Sequence, residues 1–275
     1  MSKTKLIQKT VEDVRANRQD SIIIVKKELA IIPDIGMLSA LSNLRVLTLS
    51  HNKIAEIPSD IVELSSLERL NLCGNHITLI APEIAQMERL RQLNLSFNKI
   101  ETLPRGFGGF PCLELLDLSY NFLTDASLQD SFYELTSLRY LYLSDNFFEY
   151  LSSNIRKLRN LEILALRDND LCYLPNELGE LRNLKELHLQ NNRLSYLPPS
   201  LADINFTHQN RILKLAGNKW NPKIESELNI GISHVLNLLK NESYRNMYSN
   251  FIHKLKNNCF DEVPPKAKKT RKRNL

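Results

Sequence analysis

The 275-residue sequence has little of what marks secreted, membrane or disulfide-bonded proteins. Its four cysteines are far apart and include no CxxC pair, so neither a disulfide framework nor a zinc site is expected, which is typical of a reducing compartment. The longest apolar runs, such as residues 22–25, are too short to cross a bilayer. Residues 1–20 have neither the apolar core nor the small-residue cleavage site of a secretory signal. The composition therefore predicts a soluble, unsecreted protein.

Excess basic charge is also missing from most of the chain. The formal net charge is +5, but six lysines and arginines lie between residues 266 and 273, so the remainder is slightly acidic. Because the basic charge belongs to the tail, no nucleic-acid partner is expected. The tail, residues 257–275, is predicted to be disordered, since its "PPKAKKTRKRNL" has no apolar core. It could act as a solubilising tail, a nuclear-import signal or a contact to an anionic membrane or filament.

One short pattern recurs along the chain and dominates the sequence. It reads LxxLxLxxNxL, the signature of a leucine-rich repeat, and begins at Leu44, Leu67, Leu90, Leu113, Leu138, Leu161 and Leu184. The spacing is 23 residues throughout, except for 25 after Leu113, and a weaker copy starts at Ile212. Self-similarity at a fixed period of this length predicts a solenoid.

The order of apolar and polar positions in the repeat predicts its structure. The LxL core forms a short strand, in which Leu164 and Leu166 point inward while Ile163, Ala165 and Arg167 point outward. Successive strands stack into a curved parallel sheet on the concave face, an α/β architecture with short helices or turns on the convex side. Residues 124–132 form a convex bulge. An asparagine follows each strand and satisfies backbone groups there: Asn52, Asn75, Asn98, Asn121, Asn146, Asn169, Asn192 and Asn218.

Both ends of a solenoid need covering, because terminal repeats expose apolar faces. Residues 1–20 are predicted to form a helical cap on which Leu6, Val11 and Val14 share one side, followed by a degenerate first repeat with Lys27 at the asparagine position. The solenoid spans 21–228. Residues 229–256 have helical spacing and form a C-terminal cap or, alternatively, a helix that binds a partner.

Aromatic and charged residues gather on the outward positions of the central repeats. Basic residues are more frequent there toward the N-terminus and acidic ones from the middle onward, which predicts a partner-binding surface or, alternatively, a hydrated sheet with stacked rings. The predicted binding residues are Tyr120, Phe122, Tyr140, Tyr142, Asp145, Phe147, Arg167, Asp168, Asp170 and His188. A second column, Tyr150, Tyr173 and Tyr196, favours stacking between neighbouring repeats.

Nothing in this pattern predicts catalysis, a cofactor or a metal. Ser144, Asp168 and His188 form a triad only on paper, because an open sheet offers no pocket and no oxyanion site. Asp145, Asp168 and Asp170 could hold a divalent cation, but no EF-hand spacing supports one, so carboxylates facing a partner are favoured. The glycines at 106, 108 and 109 lie in a convex segment and do not form a phosphate loop. We expect a monomer that is not an enzyme.

Several longer sequence motifs resemble those of a known family. "LPNELGELRNLKEL" resembles the Ras-group leucine-rich repeats of intracellular signalling proteins. "LSHNK", "TLPRGFG", "LDLSYN", "LYLSDN", "LRDNDL" and "LSYLPP" stand in the order and spacing of the Ras suppressor family, and the chain is similar to that family over nearly its whole length.

The resemblance implies a non-enzymatic adaptor in the cytoplasm at integrin cell–matrix adhesions. Such an adaptor binds a LIM domain of PINCH through its concave face, joins integrin-linked kinase and parvin through it, and modulates Ras-linked signalling. The resemblance assigns partner contacts first to residues within the matching motifs: Tyr142, Asp145, Arg167, Asp168 and His188. The alternative is a regulatory scaffold for a small GTPase or a protein phosphatase, as other Ras-group repeat proteins are.

Overall fold

The LxL core of each repeat forms a three-residue strand in the computed structural model, which describes residues 3–258. In that range nine strands pair in parallel, each with the strand of the next repeat. They are β1 (Ser21–Ile23), β2 (Val46–Thr48), β4 (Arg69–Asn71), β6 (Gln92–Asn94), β7 (Leu115–Asp117), β8 (Tyr140–Tyr142), β9 (Ile163–Ala165), β10 (Glu186–His188) and β11 (Ile212–Lys214). A second, two-stranded sheet joins β3 (Glu56–Ile57) to β5 (Leu79–Ile80). The predicted leucine-rich repeat solenoid is confirmed.

The second half of each repeat closes the core from the other side. Leucine and isoleucine side chains there are buried, among them Ile61, Ile155 and Leu178. The described chain contains eight 3₁₀ helices, at Ser59–Glu63, Pro82–Gln86, Phe107–Gly109, Asp125–Ser127, Asp130–Glu134, Ser153–Lys157, Asn176–Glu180 and Pro199–Asp203. Several follow or begin with proline, whose missing N–H is harmless at the first turn of a helix. The longer repeat contains two of these helices, and its Leu128 and Phe132 are buried rather than displayed on a bulge.

The asparagines that follow the strands form a continuous hydrogen-bonded ladder. Asn98 shows the pattern: its Oδ1 accepts from the backbone N–H of Ile77 at 3.0 Å, and its Nδ2 donates to the carbonyls of Leu72 and Leu95, both at 3.0 Å. Each amide thus ties its own repeat to the preceding one. Asn52 does the same for the first repeat, accepting from the N–H of Lys27 and Leu29, so that repeat needs no asparagine of its own.

The residue before each ladder asparagine has a left-handed backbone. It is glycine at Gly74 and Gly217, but non-glycine residues with φ near +56° hold the other positions, including Tyr120, Asp145 and Asp168. Except at Gly217 in the last repeat, the N–H of this residue donates to the following repeat, as Tyr120 does to the Ser144 carbonyl at 2.9 Å. This turn aims the side chains at the edge of the sheet where the strands end, which we call the rim.

Helices cover both ends. At the N-terminus α1 (Lys3–Ala16) buries Val11 and Val14, with Leu6 half-buried, and α2 (Ile35–Ser39) lies in the first repeat. At the other end stand α3 (Pro222–Ile230), α4 (Ile232–Lys240) and α5 (Glu242–Asn258). The helices therefore begin at Pro222, ahead of the predicted residue 229, because Asn221 caps the N–H of Lys223 and Pro222 starts the turn.

Helix α5 is tied back to the repeats by two tyrosines. Tyr244 donates from its hydroxyl to the Leu197 carbonyl at 2.8 Å, and Tyr248 donates to the Leu174 carbonyl at 2.9 Å. Both side chains are buried. These two bonds hold α5 against the last repeats. The tail predicted from residue 257 lies outside the described residues, apart from its first two positions, which belong to α5.

Candidate functional site

The first and third residues of each sheet strand point to the concave face, and β8 places two tyrosines there. Tyr140 lies in register between Leu115 and Ile163, and Tyr142 between Asp117 and Ala165. Both tyrosines are half-buried. The Arg139 guanidinium carbon lies 5.3 Å from the centre of the Tyr140 ring, within cation–π range. The centre of the sheet thus presents two rings side by side, with small Ala165 beside Tyr142.

Charged groups flank these rings on both sides. Burial raises the pKa of the Asp117 carboxyl, which nevertheless accepts from the Ser119 N–H at 2.9 Å. Burial also raises the pKa of Tyr142 and lowers that of His188. The His188 ring nitrogen Nε2 lies 3.2 Å from Glu186 Oε2. Sequence reasoning missed Asp117 as a site residue, although its place at the third position of β7 could have indicated it.

A second group of predicted residues meets at the rim. Tyr120 stacks on Phe97 with ring centres 4.0 Å apart and planes inclined by 11°. The Tyr120 hydroxyl accepts from Arg167 Nη2 at 3.0 Å and also bonds the Asp145 carboxylate. One tyrosine therefore connects a cation and an anion that belong to different repeats.

Two further contacts extend the rim in both directions. Phe122 and Phe147 stack with ring centres 6.1 Å apart, and Phe122 is 37% exposed, as Phe97 is at 38%. Asp168 Oδ1 accepts from Asn191 Nδ2 at 2.9 Å, while its Oδ2 lies 3.7 Å from Arg167 Nε. The rim is thus an ordered row that changes from aromatic to charged.

One predicted binding residue lies elsewhere. The Asp170 side chain is only 5% exposed, and its Oδ1 lies 2.9 Å from Arg193 Nη2 in the next repeat. Phe122 and Phe147 hold the equivalent position after a ladder asparagine, but the Asp170 side chain is held against the next repeat by its ion pair with Arg193. The structure therefore gives Asp170 a role in joining repeats. Ala165 points to the concave face as predicted but is buried, since it lies between the larger Tyr142 and His188.

A column of alternating charge runs along the edge where the strands begin. Its members occupy the position before each strand: Arg45, Glu68, Arg91, Glu114, Arg139, Glu162 and Lys185. Arg45 pairs with Glu68 at 3.3 Å, Arg91 with Glu114, and Glu162 with both Arg139 and Lys185. The arginines that suggested a basic N-terminal sheet are therefore largely neutralised. The alternation of sign from one repeat to the next was visible in the sequence and could have predicted these pairs.

Glu162 is the most strongly paired member of this column. Its Oε1 accepts from Arg139 Nε at 2.6 Å and its Oε2 from Lys185 Nζ at 2.6 Å. The hydrogen bond from Lys185 is the main reason why the pKa of the Glu162 carboxyl lies below its ordinary value of 4.5. A carboxyl with a lowered folded pKa stabilises the protein above its unfolded pKa, and the contribution disappears as the pH falls through the folded pKa.

Glu162→Gln is therefore expected to lower the free energy of unfolding by about 1 kcal/mol at pH 7. The difference from the parent should shrink below pH 4.5 as Glu162 in the parent protonates. Urea unfolding between pH 3 and 7 measures it. Glu68→Gln, which removes the partner of Arg45 alone, is the control and should have the smaller effect. A difference for Glu162→Gln that does not change with pH would contradict the ion-pair origin.

Ser144, Asp168 and His188 do not form a catalytic triad in the structure. Ser144 is buried, Asp168 is bonded to Asn191, and the His188 ring lies beside Glu186. Among the described residues no group of three or more His, Cys, Asp or Glu side chains is placed to hold a metal ion. No described helix is long and apolar enough to cross a membrane. The arrangement is suited to surface recognition by rings, hydrogen bonds and charge.

Comparison with known proteins identifies close relatives. Leucine-rich repeat profiles match residues 34–77, 65–123 and 107–229. "Ras suppressor protein 1" of Homo sapiens is 57% identical over 245 residues, which cover 89% of this chain and 88% of that protein. The protein of the same name from Bos taurus is 58% identical over the same coverage.

Solved structures share the fold at lower identity. A leucine-rich repeat protein of Leptospira interrogans superposes with a TM-score of 0.64 at 28% identity, and the match covers 82% of this chain and 61% of that one. Internalin C2 of Listeria monocytogenes superposes with a TM-score of 0.59 at 23% identity, covering 70% of this chain and 84% of that one. At that identity the second likeness concerns the fold alone.

Proposed function

Since the chain belongs to the Ras suppressor family of leucine-rich repeat proteins, we propose that it is a non-enzymatic adaptor that binds other proteins at integrin cell–matrix adhesions. Its partner in this proposal is a LIM domain of PINCH, through which it joins integrin-linked kinase and parvin in the cytoplasm. The family resemblance supplies the names of these partners. The physical support comes from the concave face.

The observation that carries the proposal is the pair Tyr140 and Tyr142 on the open concave sheet. Tyrosines supply large contact area with few rotatable bonds and keep a hydroxyl for hydrogen bonding, so they serve as anchors at protein interfaces. Both are only half-buried in the isolated chain. A LIM domain is a small zinc-bound module, of a size suited to a concave surface of several repeats.

The rim adds orientation to this surface. Arg167 and Asp145 are both held by the Tyr120 hydroxyl, so they are ordered before a partner arrives. Preorganised charges cost less conformational entropy on binding and mainly set the association rate and orientation. The tyrosines would supply most of the affinity, and Arg167 and Asp168 would fix how the partner sits. Asp145 is buried and would act by holding Tyr120, which in turn holds Arg167.

Calorimetric titration with the C-terminal LIM domain of PINCH tests the proposal. Saturable binding is expected, and Tyr142→Ala should weaken it about thirtyfold, the effect of losing a central aromatic anchor worth about 2 kcal/mol. Tyr142→Phe keeps the ring and should bind within a few-fold of the parent. Leu79→Ala removes a 61% exposed apolar side chain from the two-stranded sheet and should leave binding unchanged.

Two outcomes would count against the proposal in different ways. No binding by the parent chain would remove the LIM partner. Binding that Tyr142→Ala leaves intact, with melting unchanged, would keep the partner but move the site away from the concave centre.

A second candidate is motivated by the name of the relatives. As a regulatory scaffold for a small GTPase or a protein phosphatase, the chain would bind Ras in one nucleotide state, or a phosphatase catalytic subunit. The same titration with GTP-loaded and GDP-loaded Ras distinguishes this candidate, since a LIM adaptor without a direct GTPase contact binds neither form.

A further inference from the structure

A cleft of about 520 Å³ lies on the flank of the solenoid, away from the concave sheet. Its walls come from three places: the two 3₁₀ helices of the longer repeat, the segments that follow β8 and β9, and helix α5. The volume is within the range of sites that hold a small ligand or a side chain. Neither the proposed LIM contact nor the charge column uses it.

Tyrosine rings form much of this cleft. Tyr150 and Tyr173 come from successive repeats, with ring centres 5.1 Å apart and planes inclined by 46°. Tyr133 and Tyr248 also line it, and both are buried. The third member of the predicted column, Tyr196, behaves differently: its ring packs 4.4 Å from Phe251 of α5. The helix thus covers the end of the column, while the other two rings line the cleft.

The charge of the lining has one sign. Asp125 and Glu177 are its ionisable residues other than tyrosine, and none of the described residues that line the cleft is basic. Asp125 Oδ1 accepts from the N–H groups of Glu149 and Tyr150 at 2.8 and 2.7 Å, which fixes the carboxylate beside the tyrosine column. Burial raises the pKa of Tyr133 to about 12, so its ring stays neutral at physiological pH.

Rings and carboxylates in one cleft favour a particular ligand chemistry. The face of an aromatic ring carries partial negative charge and attracts a cation within about 6 Å of its centre. Two inclined rings backed by carboxylates add this attraction to an ordinary ion pair. An anion would meet repulsion, and a neutral apolar group would leave the carboxylates desolvated without compensation.

We propose that this flank cleft, walled by Tyr150, Tyr173 and Tyr248 with Asp125 and Glu177, is a second binding site that accepts the lysine or arginine side chain of another polypeptide. Polar groups at the cleft, including Ser152 and Asn176, suit the backbone of an extended segment better than a wholly apolar ligand. The site is separate from the concave face, so the chain could hold a basic partner and a concave-face partner at once.

The test uses the full chain with isotope-labelled tyrosine rings and small probes, followed by NMR. The probes are the N-acetyl N-methylamides of lysine, arginine and norleucine, the last being a neutral analogue with nearly the same side-chain shape as lysine. Ionic strength is held constant with sodium chloride. We expect the ring signals of Tyr150 and Tyr173 to shift saturably with the lysine and arginine probes and little with norleucine, while those of Tyr140 and Tyr142 stay in place.

Variants distinguish a direct contact between the ring and the probe from an effect on folding. Tyr173→Leu should weaken lysine-probe binding roughly fivefold, the effect of losing one cation–π contact, whereas Tyr173→Phe keeps the ring face and should bind within about twofold of the parent. Asp125→Asn keeps a side-chain oxygen for the two backbone N–H groups but removes the charge, and should also weaken binding.

Four results would overturn the proposal. Equal shifts with lysine and norleucine would make the cleft an apolar groove. Shifts confined to the concave tyrosines would place the cation elsewhere, and unchanged affinity in Tyr173→Leu would exclude the ring. Tetramethylammonium is titrated as a further probe, and stronger binding of it than of either basic probe would replace the polypeptide side chain by a small quaternary ammonium ligand.

Discussion

Asn192→Ala is expected to lower the free energy of unfolding by about 3 kcal/mol, because it leaves the buried Leu171 N–H without a partner and removes one of the two amide donors at each of two buried carbonyls. Its Oδ1 accepts from the Leu171 N–H at 3.0 Å, and its Nδ2 donates to the carbonyls of Leu166 and Leu189 at 2.9 and 3.1 Å. The midpoint of thermal unfolding should fall by about 6–12 °C for a chain of this size. Calorimetry and urea unfolding measure both quantities.

The neighbouring residue provides a matched control. Asn191 is exposed, and its side chain makes one hydrogen bond, to Asp168 at 2.9 Å. Its backbone is left-handed, and the equivalent residues of two other repeats are Gly74 and Gly217. Asn191→Gly should therefore change stability by less than about 1 kcal/mol. Equal losses in the two variants would mean that the ladder is not what holds the repeats together.

Gly108→Ala is expected to destabilise the chain by about 3 kcal/mol or more, because there is no room for a methyl group. A Cβ built on Gly108 would lie 1.6 Å from the backbone oxygen of Ser131, in the 3₁₀ helix that packs against it. Backbone atoms cannot rotate aside as the end of a flexible side chain can. The two 3₁₀ helices would have to separate, exposing Phe107 and Phe132, which are now buried.

The adjacent glycine again serves as the comparison. A Cβ on Gly109 would meet its nearest neighbour, the Ala85 Cβ, at 3.6 Å, which is an ordinary contact. Gly109 does not have positive φ, so Gly109→Ala should be neutral or stabilising by up to about 1 kcal/mol. Thermal melts of the two variants compare them directly. A stable Gly108→Ala would show that the two 3₁₀ helices are not closely packed in solution.

The repeat pattern predicted most of the fold because a solenoid is built from local rules. Each repeat contacts mainly its neighbours, so a 23-residue period fixes both the pairing of Leu141 with Leu164 and the bond from Asn169 to the preceding repeat. Alternation along the strand predicts from the sequence alone that Tyr140 and Tyr142 lie on the concave face. The same reasoning could have found the Arg139–Glu162 pair.

The candidate sites were less accessible from sequence. Asp168 and Asp170 differ by two positions in one repeat, yet one lies on the rim and the other is buried against Arg193. The left-handed turn before the ladder asparagine separates them, and an LxL count does not describe that turn. Tyr150 and Tyr196 occupy equivalent positions, but only the second is covered by α5.

The sequence by itself determined the number and register of the repeats, the asparagine ladder and the residues of the concave face, because a fixed period imposes the same contacts every 23 residues. Tertiary structure alone decided where α5 returns, since the bond from Tyr248 to Leu174 joins residues 74 positions apart. It also decided that two tyrosines of the column and two carboxylates line one cleft. Such contacts depend on how a long connection folds back, and no local periodicity encodes that.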